Sequence, residues 1–205
     1  MKLSVVIPTY NREKLLAKTL QSLDNAEIPS DLEVEVIVVN NNSTDNTEKL
    51  IKNHQKKVKD YLLTYLFEEK QGRSAAVNAG IRRAKSELIS MIDDDIQINS
   101  DWFTQIAKIF RKRCDEVDFV GGKVLPIWEV EPPDWVTAIK DVGICWRDYG
   151  EEEWRYGKDT PILTGGHGVL KAEVFSAVGL YPEELGVKKK NLAGCEDEVM
   201  FDKII

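Results

Sequence analysis

Cysteine is scarce in this chain of 205 residues: three, at Cys114, Cys145 and Cys195. They are odd in number and far apart, and they form neither a CxxC pair nor a zinc-ligand spacing. That excludes a disulfide scaffold and points to a reducing, cytoplasmic setting. Long apolar runs are missing too. No stretch approaches the ~20 residues that a membrane span needs, so any membrane contact is expected to be peripheral, at the inner face. The N-terminus has one Lys and a short apolar run that soon turns polar, which is not the pattern of a signal peptide. There is no basic excess. Lys and Arg number 28 against 35 Asp and Glu, a net charge of -7, which argues against a nucleic-acid partner. It does not argue against a nucleotide held through a metal, because acidic residues are then the ligands. Internal repeats and low-complexity segments are absent as well.

What is present is ordinary for one soluble domain: 42% hydrophobic and 31% charged residues, in a length that supports a single good core. Residues 3–7 form a continuous apolar run ended by Pro8, which predicts a buried strand. Residues 12–23 place Leu15, Leu16, Leu20 and Leu23 on one helical face. Strands are predicted at 34–39, 61–67 and 88–92, and helices at 73–84 and 101–113. The last of these has Trp102, Ile106, Ile109 and Phe110 as its apolar face. Another helix starts near Asp45, with Ser43 or Thr44 as its cap. The alternation predicts an α/β fold, a mostly parallel Rossmann-like sheet flanked by helices. Ligands in such sheets sit at the carboxyl ends of strands, where the polar turns 9–11, 40–45 and 93–95 fall.

The character changes after residue 124. Four of the five Trp (Trp128, Trp135, Trp146, Trp154) lie in 126–160 with Pro126, Pro132 and Pro133. Helical periodicity is weak around 135–144. A glycine-rich stretch, 165–168, leads into a helix-like segment at 171–178, and 196–205 opens another helix. Most of the Trp are expected to be core, although aromatic rings also stack on sugars.

Several segments can carry chemistry. Asp93, Asp94 and Asp95 follow a strand directly, and three adjacent carboxylates are costly without a cation. Strand alternation would point Asp93 and Asp95 one way and Asp94 the other. Mg²⁺ or Mn²⁺ suits one or two such oxygens, with phosphates and water completing the shell. The plainer alternative is a solvated acidic turn. Residues 40–45, NNNSTD, offer donors and acceptors suited to a nucleobase edge, or form an ordinary turn with a cap. Glu196 and Asp197 sit at a helix start, where acidic residues are favoured in any case. Residues 188–190 are three lysines, a solvated loop or a diphosphate contact. His167 lies between glycines that allow close backbone approach; a lone His is more often structural than catalytic.

Six segments in order resemble the family 2 glycosyltransferases: SVVIPTYNR from Ser4, VNNNSTDNT from Val39, GRSAAVNAGI from Gly72, MIDDDI from Met91, the stretch from Thr164 to Gly186, and GCEDEVMF from Gly194. Each alone is unspecific; their order carries the resemblance over nearly the whole chain. It implies the nucleotide-diphospho-sugar transferase (GT-A) fold in a single domain, residues 1–205. Residues 1–124 would be the nucleotide-sugar half and 125–205 the acceptor-side half. It implies that Thr9 and Asn41 contact the base, with Pro8, Tyr10, Asn11, Asn40, Arg73 and Asn78 around the nucleotide-sugar. Asp93 and Asp94 would lie near the ribose and sugar. Asp95, with Asp93, would bind Mn²⁺ or Mg²⁺, and Asp197 would be the catalytic base. Gly166, His167 and Glu196 fall on the acceptor side.

The implied reaction is inverting transfer from a nucleotide-diphospho-sugar, UDP by default, to a saccharide or lipid-linked saccharide of a cell-surface polymer. A cation steadies the leaving diphosphate, and a carboxylate base activates the attacking hydroxyl. Asn40 and Asn41 stand where the family usually has at least one Asp, and His167 where many members have Asn. The chain stops just past the Glu-Asp pair, where many relatives continue, so a truncated piece is expected. A turnover-free nucleotide-binding module is the alternative. A sugar nucleotidyltransferase ranks last, because PTYNRE is not its glycine- and arginine-rich loop.

Overall fold

The computed structural model describes residues 1–138, 148, 150–153, 155, 157, 165–186 and 196–204. Six strands form one sheet: β1 (Lys2–Thr9), β2 (Glu33–Asn40), β3 (Leu62–Phe67), β4 (Leu88–Met91), β5 (Phe119–Val120) and β6 (Val169–Lys171). Their order is β3-β2-β1-β4-β6-β5. The first four are mutually parallel, and β6 runs antiparallel to both β4 and β5. The helices are α1 (Glu13–Asp24), α2 (Thr47–Gln55), α3 (Arg73–Arg83), α4 (Trp102–Arg113), α5 (Asp134–Ala138), α6 (Ala172–Val178) and α7 (Glu196–Asp202).

Alternating side chains give each sheet face its own core. Leu3, Val5 and Ile7 pack with Leu16, Leu20 and Leu23 of α1, Ile51 of α2, and Phe103, Ile106 and Phe110 of α4. Val6, Ile37 and Val39 pack with Ala76, Val77 and Ile81 of α3, Val174 and Phe175 of α6, and Met200 of α7. Both faces are covered by helices, which is why the central strands read as continuous apolar runs. Of the predicted apolar positions, Leu15 is exposed, and Trp102 and Ile109 are only half-buried. No helix among the described residues is long and apolar enough to cross a membrane.

Several expectations are corrected. β1 does not end at Pro8 but runs through it to Thr9. Val6 O accepts from Ile92 N on the β4 side, and Pro8, two residues on, faces that same side. β4 has already ended at Met91, so the missing proline N–H removes no ladder bond. α2 begins at Thr47, two residues after Asp45, but neither Ser43 nor Thr44 caps it. Asp45 Oδ1 accepts from Thr47 N at 3.0 Å instead, while Ser43 and Thr44 bond to Asn11. The helix-like segment 171–178 is α6 from Ala172 on, with Lys171 closing β6. Trp128 and Trp135 are exposed, at 41% and 66%, not core; Trp146 and Trp154 lie outside the described residues. So do Lys188, Lys189, Lys190, Cys145 and Cys195, whereas Cys114 is exposed and free.

Candidate active site

The polar turns collect at one edge, where β1, β2 and β4 end. Because β6 is antiparallel, its leading segment, a 3-10 turn at Gly165–His167, arrives at that edge. Gly166 O accepts from Asp93 N at 3.1 Å. A Cβ on Gly166 would stand 2.8 Å from Asp93 Oδ2, so a larger residue there would have to displace that carboxylate.

The acidic triplet lies in a turn closed by Ile96 N on Asp93 O at 3.1 Å, after the strand has ended. Strand alternation therefore does not apply, and Asp93 and Asp95 are not the pair that shares a direction. Asp94 is buried. It accepts from Thr9 Oγ1 at 2.7 Å and from Arg12 Nη1 at 3.1 Å. Asp95 takes the same Arg12 nitrogen at 2.9 Å. Asp93 faces Arg73, whose Nε and Nη2 reach Asp93 Oδ1 at 3.1 and 2.8 Å. Two guanidinium groups thus supply the positive charge that three adjacent carboxylates require. Burial pushes the Asp94 carboxyl up, against the pull of Thr9 and Arg12. Burial would lower Arg12, but Asp94 and Asp95 outweigh it and raise it.

Arg73 joins this turn to the Glu-Asp pair. Its Nη1 lies 3.3 Å from both Glu196 Oε1 and Asp197 Oδ1. Burial opposes its charge, yet Asp93 and Asp197 hold it well above the ordinary arginine range. Arg73 therefore sits between Asp93 and α7. Tyr181 belongs to the same neighbourhood. Its phenol is raised by burial first, then by Asp197.

The asparagine expectations change most. Asn41 Nδ2 donates to Glu68 O and Lys70 O at 3.1 and 2.7 Å, and its Oδ1 accepts from Gly72 N at 2.9 Å. That uses both amide hydrogens and one of the two acceptor sites of the oxygen, so Asn41 clamps the loop before α3. Asn40 is also engaged, with Ser43 N on Oδ1 at 2.9 Å and its own Nδ2 on Tyr65 Oη at 3.3 Å. Asn78 is buried; its amide exchanges bonds with Tyr181 N and O at 3.0 and 2.8 Å. It fixes the 181–183 turn against α3. Asn11, left-handed at φ 53, locks the first turn to the second: its Oδ1 accepts from Thr44 N at 2.7 Å and its N donates to Ser43 Oγ at 3.0 Å. Pro8 is buried in β1, and Tyr10 is half-buried beside these interlocked turns.

His167 is buried. Its Nε2 accepts from Gly122 N at 2.7 Å, which assigns the ring proton to Nδ1. That Nδ1 is buried and has no hydrogen-bond partner among the described residues. Burial lowers the ring's pKa, against the pull of Asp93.

The structure thus brings Thr9, Arg73, Asp93, Asp94, Asp95, Gly166, His167, Glu196 and Asp197 to one edge. Arg12, at the N-cap of α1, was missed by the sequence reading. The signal was available: three neighbouring carboxylates need cations, and Arg12 and Arg73 each open the segment after a strand that ends on that edge. Among the described residues, no three Asp, Glu, His or Cys side chains converge into a metal cage.

Residues 4–178 match the family model "Glycosyl transferase family 2". An uncharacterized glycosyltransferase of Mycoplasma genitalium is 35% identical over 191 residues, 91% of this chain and 60% of that protein. Poly(ribitol-phosphate) β-N-acetylglucosaminyltransferase TarS of Staphylococcus aureus is 30% identical over 123 residues, 60% of this chain and 21% of TarS. The structure of TarS 1-349 with UDP superposes with a TM-score of 0.68 at 21% identity, covering 99% of this chain and 55% of that one. A mannosyltransferase of Pyrobaculum calidifontis, solved with GDP-Man and Mn²⁺, superposes at 0.64 and 23% identity, covering 91% and 49%. The chain spans 60% or less of the length of these curated relatives.

Proposed function

Because the chain belongs to glycosyltransferase family 2 and has the GT-A fold, we propose that it transfers a sugar, with inversion, from a nucleotide-diphospho-sugar to a saccharide or polymer-linked hydroxyl. UDP is the default donor nucleotide. One observation carries the reading. Arg73 ties Asp93, at the end of β4, to Glu196 and Asp197 on α7, so the donor-side acid and the candidate base share one edge. TarS was solved with UDP and the Pyrobaculum enzyme with GDP-Man and Mn²⁺, which supports the ligand class.

In this reading the nucleotide lies over the interlocked turns of Tyr10 and Asn11 with Ser43 and Thr44. Asn40 and Asn41 shape that surface from beneath. Asp95 is exposed at the turn and suits a divalent ion that takes one or two carboxylates and fills its shell with phosphate and water. When bound, the ion would steady charge on the leaving diphosphate. Asp197 accepts the proton of the attacking hydroxyl, worth ~10²–10⁴-fold in rate. Attack opposite the leaving group needs no covalent intermediate. Arg73 keeps the base aligned with Asp93.

Calorimetric titration with UDP, GDP and dTDP, with and without Mn²⁺, tests this, together with nucleotide release from UDP-sugars in the presence of saccharide acceptors. The expected result is metal-dependent nucleotide binding, kept in Asp197→Asn while release falls at least ~100-fold. An Asp197→Asn chain that released nucleotide like the parent would remove Asp197 as base. A parent chain that bound no nucleotide diphosphate would remove the whole reading.

A further inference from the structure

Arg12 places a guanidinium on the carboxylate that is proposed to take the metal. Its Nη1 contacts Asp95 Oδ2 and Asp94 Oδ1 together, at 2.9 and 3.1 Å. The two contacts are unequal. The Arg12 and Asp95 side chains are 49% and 46% exposed, whereas Asp94 is 7% exposed. An ion pair as open as Arg12–Asp95 is worth at most about 1 kcal/mol. The contact with Asp94 is anchored, because that carboxylate is buried and also held by Thr9 Oγ1. The guanidinium is therefore tethered to the site while its hold on Asp95 is weak.

A divalent ion on Asp95 would stand about 4–5 Å from the Arg12 guanidinium, where like charges repel by several kcal/mol even at surface dielectric. We propose that Arg12 is an exchangeable internal cation. It neutralises Asp94 and Asp95 in the nucleotide-free chain, and it shifts from Asp95 to a phosphate oxygen of a nucleotide diphosphate when a divalent ion takes Asp95. A guanidinium fork suits that second partner. The consequence is coupling: metal alone must evict Arg12, whereas metal with nucleotide gives Arg12 a new acceptor. By linkage, the nucleotide tightens the metal and the metal tightens the nucleotide by the same factor. This inference rests on the donor-site reading above.

The test is free Mn²⁺ measured by electron paramagnetic resonance, with and without UDP, on the full chain and on Arg12→Gln, Arg12→Lys and Lys14→Gln. Lys14 is an exposed neighbour that controls for net charge. Arg12→Gln is expected to bind Mn²⁺ alone about five-fold more tightly and to lose most of the Mn²⁺–UDP coupling. Lys14→Gln should change neither, and Arg12→Lys should fall between Arg12→Gln and the parent. Thermal melts confirm that each variant folds. Equal Mn²⁺ affinity and equal coupling in Arg12→Gln and the parent overturn the exchange, provided that the parent binds Mn²⁺ with UDP through Asp95, as an Asp95→Ala control reads. If the parent shows no such binding, the donor-site reading fails first and the exchange falls with it.

Discussion

At the scale of single residues, His167 is the clearest case of chemistry set by one hydrogen bond. Gly122 N–H occupies Nε2, and a ring that accepts there must be unprotonated at that nitrogen. Burial lowers its pKa from the ordinary ~6.5 of an exposed histidine. The unfolded chain therefore holds the extra proton over a pH range in which the folded chain does not, so stability rises with pH across that range. As pH falls below ~6.5, His167 is expected to subtract from stability until its own lowered pKa is reached. Urea melts at pH 7 and pH 5 on the parent and on His167→Asn check this. The variant removes the titrating imidazole, so its pH slope flattens even though the shorter asparagine gives up the bond from Gly122. Nitrogen-15 spectra should show the proton on Nδ1 throughout the neutral range. An unchanged slope in His167→Asn would contradict the assignment. The same scale shows what the sequence hid. That Asn41 and Asn78 are polar and stand near the site was readable; that their amides are spent on Glu68, Lys70, Gly72 and Tyr181 was not, because those partners lie tens of residues away. Asp93, Asp94 and Asp95 were legible as a cluster, but their counter-ions Arg12 and Arg73 come from separate loops.

At the scale of elements the sequence was more informative. Four parallel strands and their intervening helices follow from apolar runs and 3.6-residue periodicity, since both signals are local. Boundaries were read less well where a distant contact decides them. Pro8 stays inside β1 because β4 stops short, and α2 starts at Thr47, where the N–H and the hydroxyl both donate to Asp45. α3 shows a second long-range effect. It is the helix nearest β1, and a Cβ on Gly80 would sit 2.2 Å from Val6 Cγ1 and 3.2 Å from Val39 Cγ2. Alanine at an exposed helix position would gain about 1 kcal/mol of propensity. Here the contact is with rigid β-branched side chains of the sheet, so overpacking wins. Gly80→Ala is expected to cost a net ~1–3 kcal/mol, read as a lower urea midpoint with an unchanged slope. Because α3 begins at Arg73, the same change should weaken nucleotide binding as the helix is pushed away from the sheet. A variant as stable as the parent would show that α3 has room to shift.

At the scale of the whole molecule, β6 decides how the later part of the chain joins the earlier part. It inserts between β4 and β5, and its first two residues enter opposite cores: Val169 packs with the α1 and α4 side, Leu170 with the α3 and α6 side. The nucleotide-side strands and the segment leading to Gly166 and His167 therefore share one sheet and both cores, which argues for a single cooperative unit. Phe119 on β5 and Phe201 on α7, with ring centroids 5.6 Å apart, extend the tie to the helix that carries Asp197. Leu170→Ala removes a side chain with 0% exposure and is expected to cost ~2–5 kcal/mol. For a chain of this size that lowers the melting midpoint by roughly 5–15 °C. The sharper expectation concerns shape: calorimetry should still show one transition, moved as a whole, and hydrogen exchange should lose protection in β1 and β4 together with β6. If the first four strands kept parental protection while only the later segment loosened, the sheet would be two units in series. Contact between Arg73 and α7 would then be a docking event, not a product of the fold.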